Sequence, residues 1–315
     1  QPSSRTETMP SSSAVAILLL AASTLPATAA RAAATLDSIP RTAVVSAFAP
    51  EWQTLRAAMA EPEEHAVNGT LFVTGSLEGK DVVLLLSGVS MVNAAMTTQL
   101  LLDRFEVQRI VFSGIAGGVD PALAIGDVVV AAQWGQYLEA VFAREQPDGG
   151  WRTPAFLGPP PFAAHGMIHP WTVEVTREPD AEPERRFWFP VDAALLEIAR
   201  AIAPTVDLGR CVEANRCLDR TPRIVVGGNG VSGQAFVDNA AFRTYTFDTF
   251  QARVLDMESA AVAQVAYVNR VPFIAFRSLS DLAGGGEGEN QMATFFQLAA
   301  DNAAAVVRAF VRGLP

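Results

Sequence analysis

Three features of this sequence predict an α/β fold in which a sheet is sandwiched by helices. Apolar runs of strand length alternate with segments whose apolar residues recur at helical spacing. Hydrophobic residues make up 50% of the 315, ample for a large packed core in one large domain or two small ones. The alternation runs from about Arg41 almost to the end, with no internal repeat visible.

Taken in order, "RTAVVSAF" (Arg41 to Phe48) reads as a buried strand followed by a helix beginning near Glu51. "KDVVLLLSG" is a second strand, and "NAAMTTQLLLDRF" carries the helical period. "RIVFSG" is a strand ending in the glycine loop "GIAGG", and "GDVVVAAQ" is another strand. From Trp134 to Pro190 the pattern breaks into a proline-dense stretch containing "GPPP", which reads as an ordered insert of the same domain, a lid or an interface flap. "PVDAALLEIARAIA" resumes as an amphipathic helix. The strand "RIVVGG", the stretch "NGVSGQAFVDNAAFR", the strand "RVLDM", a helix and the strand "VPFIAFRSLSD" follow. "AGGGEGE" (Ala283 to Glu289) is a flexible turn whose acids and lack of Lys argue against a phosphate cradle.

The N-terminus differs. "SSSAVAILLLAASTLPATAARAAA" has an apolar core from Ala14 to Ala22, far short of the roughly 20 residues a bilayer span needs. Arg5 precedes it, and Ala27-Thr28-Ala29 or Ala30-Arg31-Ala32 offers a small-x-small cleavage site. Residues 1 to about 32 read as a cleaved secretory signal, the other reading being an Ala-rich tail. Residues 33–315 are then the exported domain, periplasmic or secreted. Cys211 and Cys217 in "GRCVEANRCLDR" suit a disulfide in an oxidising compartment or two free thiols, and with no His nearby a metal site is poorly supported. Twenty-three basic against 33 acidic residues give −10, and no basic run exists, so neither nucleic acid nor an anionic membrane is an expected partner.

Acids interrupt the apolar runs at particular points. Glu258 opens a helix of about 12 residues, and the strand after Pro272 is long enough to return Asp281 to the sheet edge where Glu258 began. Glu51, the stretch Gly114 to Gly118 and Phe236 reach the same edge, where the carboxyl ends of strands bind ligands in open α/β sheets. Singly each reads as structural: Glu258 and Asp256 as helix-start acids, Arg277 as half of an internal ion pair. Together they point to a site. A buried Arg277 requires a carboxylate partner, because an unpaired buried charge is very costly.

At these residues the chain resembles a family. "VVSAFAPEWQTLR", "VFSGIAGGVDPALAIGDVVVA", "VSGQAFV" and "LDMESAAVAQVAYVNRVPFIAFRSLSD" resemble the nucleoside phosphorylase/nucleosidase superfamily, most of all its 5′-methylthioadenosine/S-adenosylhomocysteine nucleosidases. The resemblance runs from about Arg41 to Arg308 and implies a single three-layer α/β/α domain around a central twisted, partly barrel-like mixed sheet. A homodimer acting on a small purine nucleoside, with no cofactor and no metal, is implied as well. By this likeness Asp281 protonates the purine and Glu51 activates the attacking water. Met257 and Glu258 hold the ribose, Glu258 through the 2′- and 3′-hydroxyls. Phe236 stacks on the base, and the Val237 backbone reads its edge. Ser280 and Arg277 support the catalytic acid, and Ala116 and Gly117 are further substrate contacts.

The chemistry agrees with those roles. Cleaving an N-glycosidic bond needs an acid to protonate the leaving base and a carboxylate to deprotonate water. The expected activity is hydrolysis of adenosine-type nucleosides to free base and a ribose derivative. A purine or uridine phosphorylase is the alternative within the family. It needs cations for phosphate, yet "SAFAPEW" has none and Phe112 stands where that branch usually places an Arg. Ala49 and Pro50 replace acids that often flank the catalytic Glu, and Ile115 replaces a hydroxyl residue beside the sugar. The insert, the Cys pair and "FVDNAAFR" resemble plant bark and vegetative storage proteins, so a non-catalytic nucleoside-binding or storage protein is the second alternative.

Overall fold

The apolar run that opens at Arg41 forms the end of β1 (Asp37–Ser46), buried from Arg41 onward in a computed structural model. The structure describes residues 35–213, 216–286 and 288–315. The expected leader, residues 1 to about 32, lies outside the described residues. After β1 come α1 (Ala49–Ala57), β2 (Ala60–Val67), β3 (Thr70–Leu77), β4 (Lys80–Leu86), α2 (Met91–Arg104) and β5 (Phe105–Gly118). Next are β6 (Val128–Val130), β7 (Gln133–Gln136), β8 (Trp188–Pro190), α3 (Ala193–Ile202), β9 (Ile224–Val226) and β10 (Asn229–Ser232). The chain closes with α4 (Ala240–Phe250), β11 (Ala252–Asp256), α5 (Ser259–Asn269), β12 (Phe273–Asp281) and α6 (Met292–Gly313).

These strands make one 12-stranded mixed sheet, with backbone order β8-β7-β10-β11-β5-β1-β4-β3-β2. β5 pairs in parallel with β1 and β12, and at its last two residues antiparallel with β11. The sheet therefore branches at β5, and the branch brings the ends of β11 and β12 to one place. The expected glycine loop is a correction: β5 runs unbroken through Gly118, in register with β12 as Gly114↔Arg277. Glycine there serves close approach, because a Cβ at Gly114 would lie 2.2 Å from Arg277 Nη1 and 2.6 Å from Glu51 Oε1.

Helices α1 and α3 each pack on α6, and α2 packs on α5. α6 buries Phe295, Leu298, Ala299, Asn302, Ala303, Val306, Val307 and Phe310, the 3- and 4-residue spacing of one helix face, and its alanines let it lie close against β12 and β5. α5 begins where the Asp256 side chain accepts the Glu258 and Ser259 N–H groups, the capping role its position predicts.

The insert leaves and rejoins the sheet at one edge, since β7 and β8 pair antiparallel. Short hairpins build it, and Tyr267 of α5 anchors it: the Arg177 and Arg186 guanidinium carbons lie 4.3 and 4.4 Å from its ring centroid, and its hydroxyl donates to Glu184. Residues 34–315 form one compact unit that includes it. Cys211 and Cys217 are joined by a disulfide across a two-strand hairpin.

Candidate active site

A cavity of about 210 Å³ opens where β5, β11 and β12 end. Glu51, Ala116, Gly117, Phe236, Val237, Met257, Glu258, Ser280 and Asp281 all line it, which is every expected site residue except Arg277. No residue of the insert between 134 and 190 is among its described lining, so the lid reading of that stretch gains no contact here.

Arg277 lies beneath the floor with no exposed surface. Its Nε donates to Ser259 Oγ at 2.9 Å and lies 2.7 Å from Asp256 Oδ2. Its Nη2 is 3.4 Å from Glu258 Oε2 and its Nη1 3.8 Å from Glu51 Oε1. The Phe112 ring supports the guanidinium from below, with the carbon 4.0 Å from the ring centroid. Two expectations are thereby corrected. Arg277 supports Glu51 and Glu258 rather than Asp281, because the Gly114↔Arg277 register places it part-way along β12 and short of the strand end. Asp256 is more than a cap: it also faces the buried cation and accepts the Ser232 hydroxyl.

Glu51 is buried at the start of α1. Oε2 accepts from the Ala47 N–H at 2.6 Å, and Oε1 accepts from the Ile115 N–H at 2.8 Å. Burial raises its pKa above the ordinary carboxylate range, and Arg277 with the backbone N–H groups opposes the rise. Glu258 accepts the Ser90 N–H at 2.8 Å. Burial pushes its pKa up too, with Arg277 lowering it and the Asp256 and Glu51 charges adding to the rise. Three carboxylates around one guanidinium leave the cluster net negative if all ionise. Ser90 sits at φ 83°, a region costly for a non-glycine residue, and Glu258 holds its N–H at the rim.

Asp281 ends β12. Its Oδ2 accepts the Ser280 hydroxyl at 2.9 Å and its Oδ1 the Ala283 N–H at 2.7 Å. Burial raises its pKa, and those donors only partly oppose it. Phe236 is 58% exposed at the mouth, leaving a ring face free for a planar ligand, while Val237 is buried behind it.

Residues missed in the sequence are Ser90, Ser232, Ser259 and Asn290. The strand-to-helix position of Ser90 in "SGVSM" matches that of Glu258 and was the available signal.

Residues 41–312 match the phosphorylase superfamily. A 5′-methylthioadenosine/S-adenosylhomocysteine nucleosidase of Mycobacterium bovis is 30% identical over 272 residues, covering 86% of this chain and 96% of the relative. The like-named protein of Bacillus thuringiensis is 31% identical over 245 residues, 78% of this chain and 87% of its own length. Among solved structures, the Neisseria meningitidis nucleosidase in complex with methylthio-immucillin-A superposes with a TM-score of 0.65 at 25% identity, covering 88% of this chain and all of that one. The chain belongs to the phosphorylase superfamily.

Proposed function

We propose that this chain is a purine nucleosidase that hydrolyses the N-glycosidic bond of adenosine-type nucleosides, of the 5′-methylthioadenosine or S-adenosylhomocysteine kind, to free base and a ribose derivative. The carrying observation is the pairing of Glu51 and Asp281 in one cavity. Glu51 lies against Gly114 and Asp281 against Gly117, three residues along β5, so their carboxyls are spaced by roughly 10 Å. That span fits a base at one end and the sugar's anomeric carbon at the other. Protonated Asp281 donates to a purine nitrogen as the bond lengthens, and ionised Glu51 takes a proton from the attacking water. Glu258 keeps lone pairs for the sugar diol beyond those given to Ser90 and Arg277.

Water rather than phosphate is the nucleophile. No Lys or Arg is among the described residues lining the cavity, and ionised Glu51, Asp256 and Glu258 would repel an anion. The test is a panel of nucleosides incubated with and without phosphate. Free base and free sugar in phosphate-free buffer are expected. A sugar 1-phosphate formed only with added phosphate would reassign the chain to phosphorylysis, and inertness on every nucleoside would favour the binding protein.

The chain is also proposed to be exported and dimeric. The Cys211–Cys217 disulfide supports an oxidising compartment. Intact-mass analysis of native material should find a mature start near Ala30 or Ala33 and no alkylatable thiol. Val92 and Met96, one turn apart on α2, are 66% and 60% exposed beside the rim residue Val89, a stripe that suits a second copy. Light scattering should give twice the chain mass, reverting to one with Met96→Lys.

A further inference from the structure

Asp281 lines both the site cavity and a second one. Beside the site cavity there is a second, of about 30 Å³, walled by Asp238, Leu282, Gly284, Glu289, Asn290 and Asp281. A water needs about 10–15 Å³ of such volume and two to four polar partners, so this chamber has room for one or two. Asp238 is exposed, and its Oδ1 accepts from Asn290 Nδ2 at 3.0 Å. Asn290 Oδ1 in turn accepts the Met292 N–H at 2.8 Å, which fixes the amide at the head of α6. Asn290 and Asp281 both wall this chamber. Asp238 and Asn290 therefore lead from solvent into a chamber that Asp281 also walls, on the side away from the site cavity.

Hydrolysis creates a need for such an approach. In each turnover the C–N bond breaks, Asp281 gives a proton to the base, water adds to the sugar, and Glu51 takes that water's proton. Both products leave neutral, with Asp281 ionised and Glu51 protonated. Resetting requires one proton delivered to Asp281 and one released from Glu51. In the proposed pose the base lies against Asp281 on the site-cavity side, which leaves the second cavity as the other approach to the carboxyl.

We propose that the second cavity is the proton inlet of Asp281, in which water ordered by Asn290 passes a proton from Asp238 to the ionised carboxyl. Asp238 is then reprotonated by bulk water or a buffer acid. Asp238 is a proton-transfer residue and Asn290 a positioning residue. The inference rests on the hydrolytic reading.

Rapid-quench kinetics with excess nucleoside separates the steps, since the first turnover uses a proton already on Asp281 and every later one must import its own. For Asp238→Asn and Asn290→Leu, the first-turnover rate constant should stay within about threefold of wild type, while later turnovers slow about tenfold or more, relative to the wild-type ratio of the two phases. Raising the concentration of a small acid such as imidazolium should restore the later turnovers. A parallel loss in both phases would mean that these side chains only shape Asp281, and no loss in either would mean that the proton enters elsewhere; both results overturn the inlet. Asp238 is exposed, so Asp238→Asn keeps the test open if Asn290→Leu fails to fold. A wild-type protein inert on all nucleosides would instead defeat the hydrolytic reading itself.

Discussion

Around Arg277 three carboxylates share one buried cation, whereas Asp281, lining the same cavity, accepts from the Ser280 hydroxyl and the Ala283 N–H. Burial raises the carboxyl pKa in both places. On the Arg277 side a guanidinium answers it, favouring the ionised form needed to take a proton from water and to accept from a diol. Among the described residues none forms an ion pair with Asp281, and burial leaves its carboxyl better able to keep a proton. In the proposed reaction the carboxyl without a cationic partner serves as the acid, and one beside the arginine serves as the base.

The sharpest way to break that contrast is to remove the cation. Arg277→Met should destabilise the fold by about 3–5 kcal/mol, because buried carboxylates lose their partner, and urea melts should show it. An unchanged midpoint would mean that Arg277 is not what holds those charges. Asp281→Asn keeps shape and hydrogen bonding but carries no transferable proton. Turnover should fall roughly 10²–10⁴-fold with KM little changed, and a loss of only a few-fold would remove Asp281 from the acid role.

Phe236→Ala should act in the other direction, raising KM with kcat largely kept. Base stacking on an aromatic is worth about 1–3 kcal/mol, so a rise of roughly tenfold or more is expected in steady-state kinetics. The smallest effect is on stability against pH. The raised carboxyl of Asp281 keeps its proton in the folded protein at pH values where the unfolded chain has lost it. Wild-type stability therefore declines as pH rises from the ordinary carboxylate range through the raised value, then levels off. Asp281→Asn lacks that decline. Its melting temperature should match wild type at acid pH and exceed it at neutral pH, and the reverse order would refute a raised pKa.

The site was largely legible because charge stands out in apolar surroundings. Glu51, Glu258, Arg277 and Asp281 interrupt runs that otherwise bury themselves, and strand and helix lengths return them to one edge. The partners of those charges were not legible. Asp256 read as a cap because its nearest bonds are local, while its contact with Arg277 is made across the sheet. Asn290 lies in a polar turn where nothing in the sequence marks it. The β2–β3 hairpin escaped as well, since β2 is exposed along most of its length and shows no apolar alternation; only "NG" at Asn68-Gly69, both at positive φ, signals its turn. The stretch Gly114 to Gly118 read as a loop because glycine usually punctuates, whereas at Gly114 the missing side chain makes room for a guanidinium.

That missing side chain limits how this protein can vary. Any residue larger than glycine at position 114 drives into both Arg277 and Glu51, so those two side chains can keep their places only while position 114 stays glycine. Restoring Glu51 or Arg277 by point reversion in a chain already altered at position 114 would recover nothing. Such a triplet behaves as one heritable unit: single steps away from it are all downhill, and a descendant could leave it only by changing several positions together.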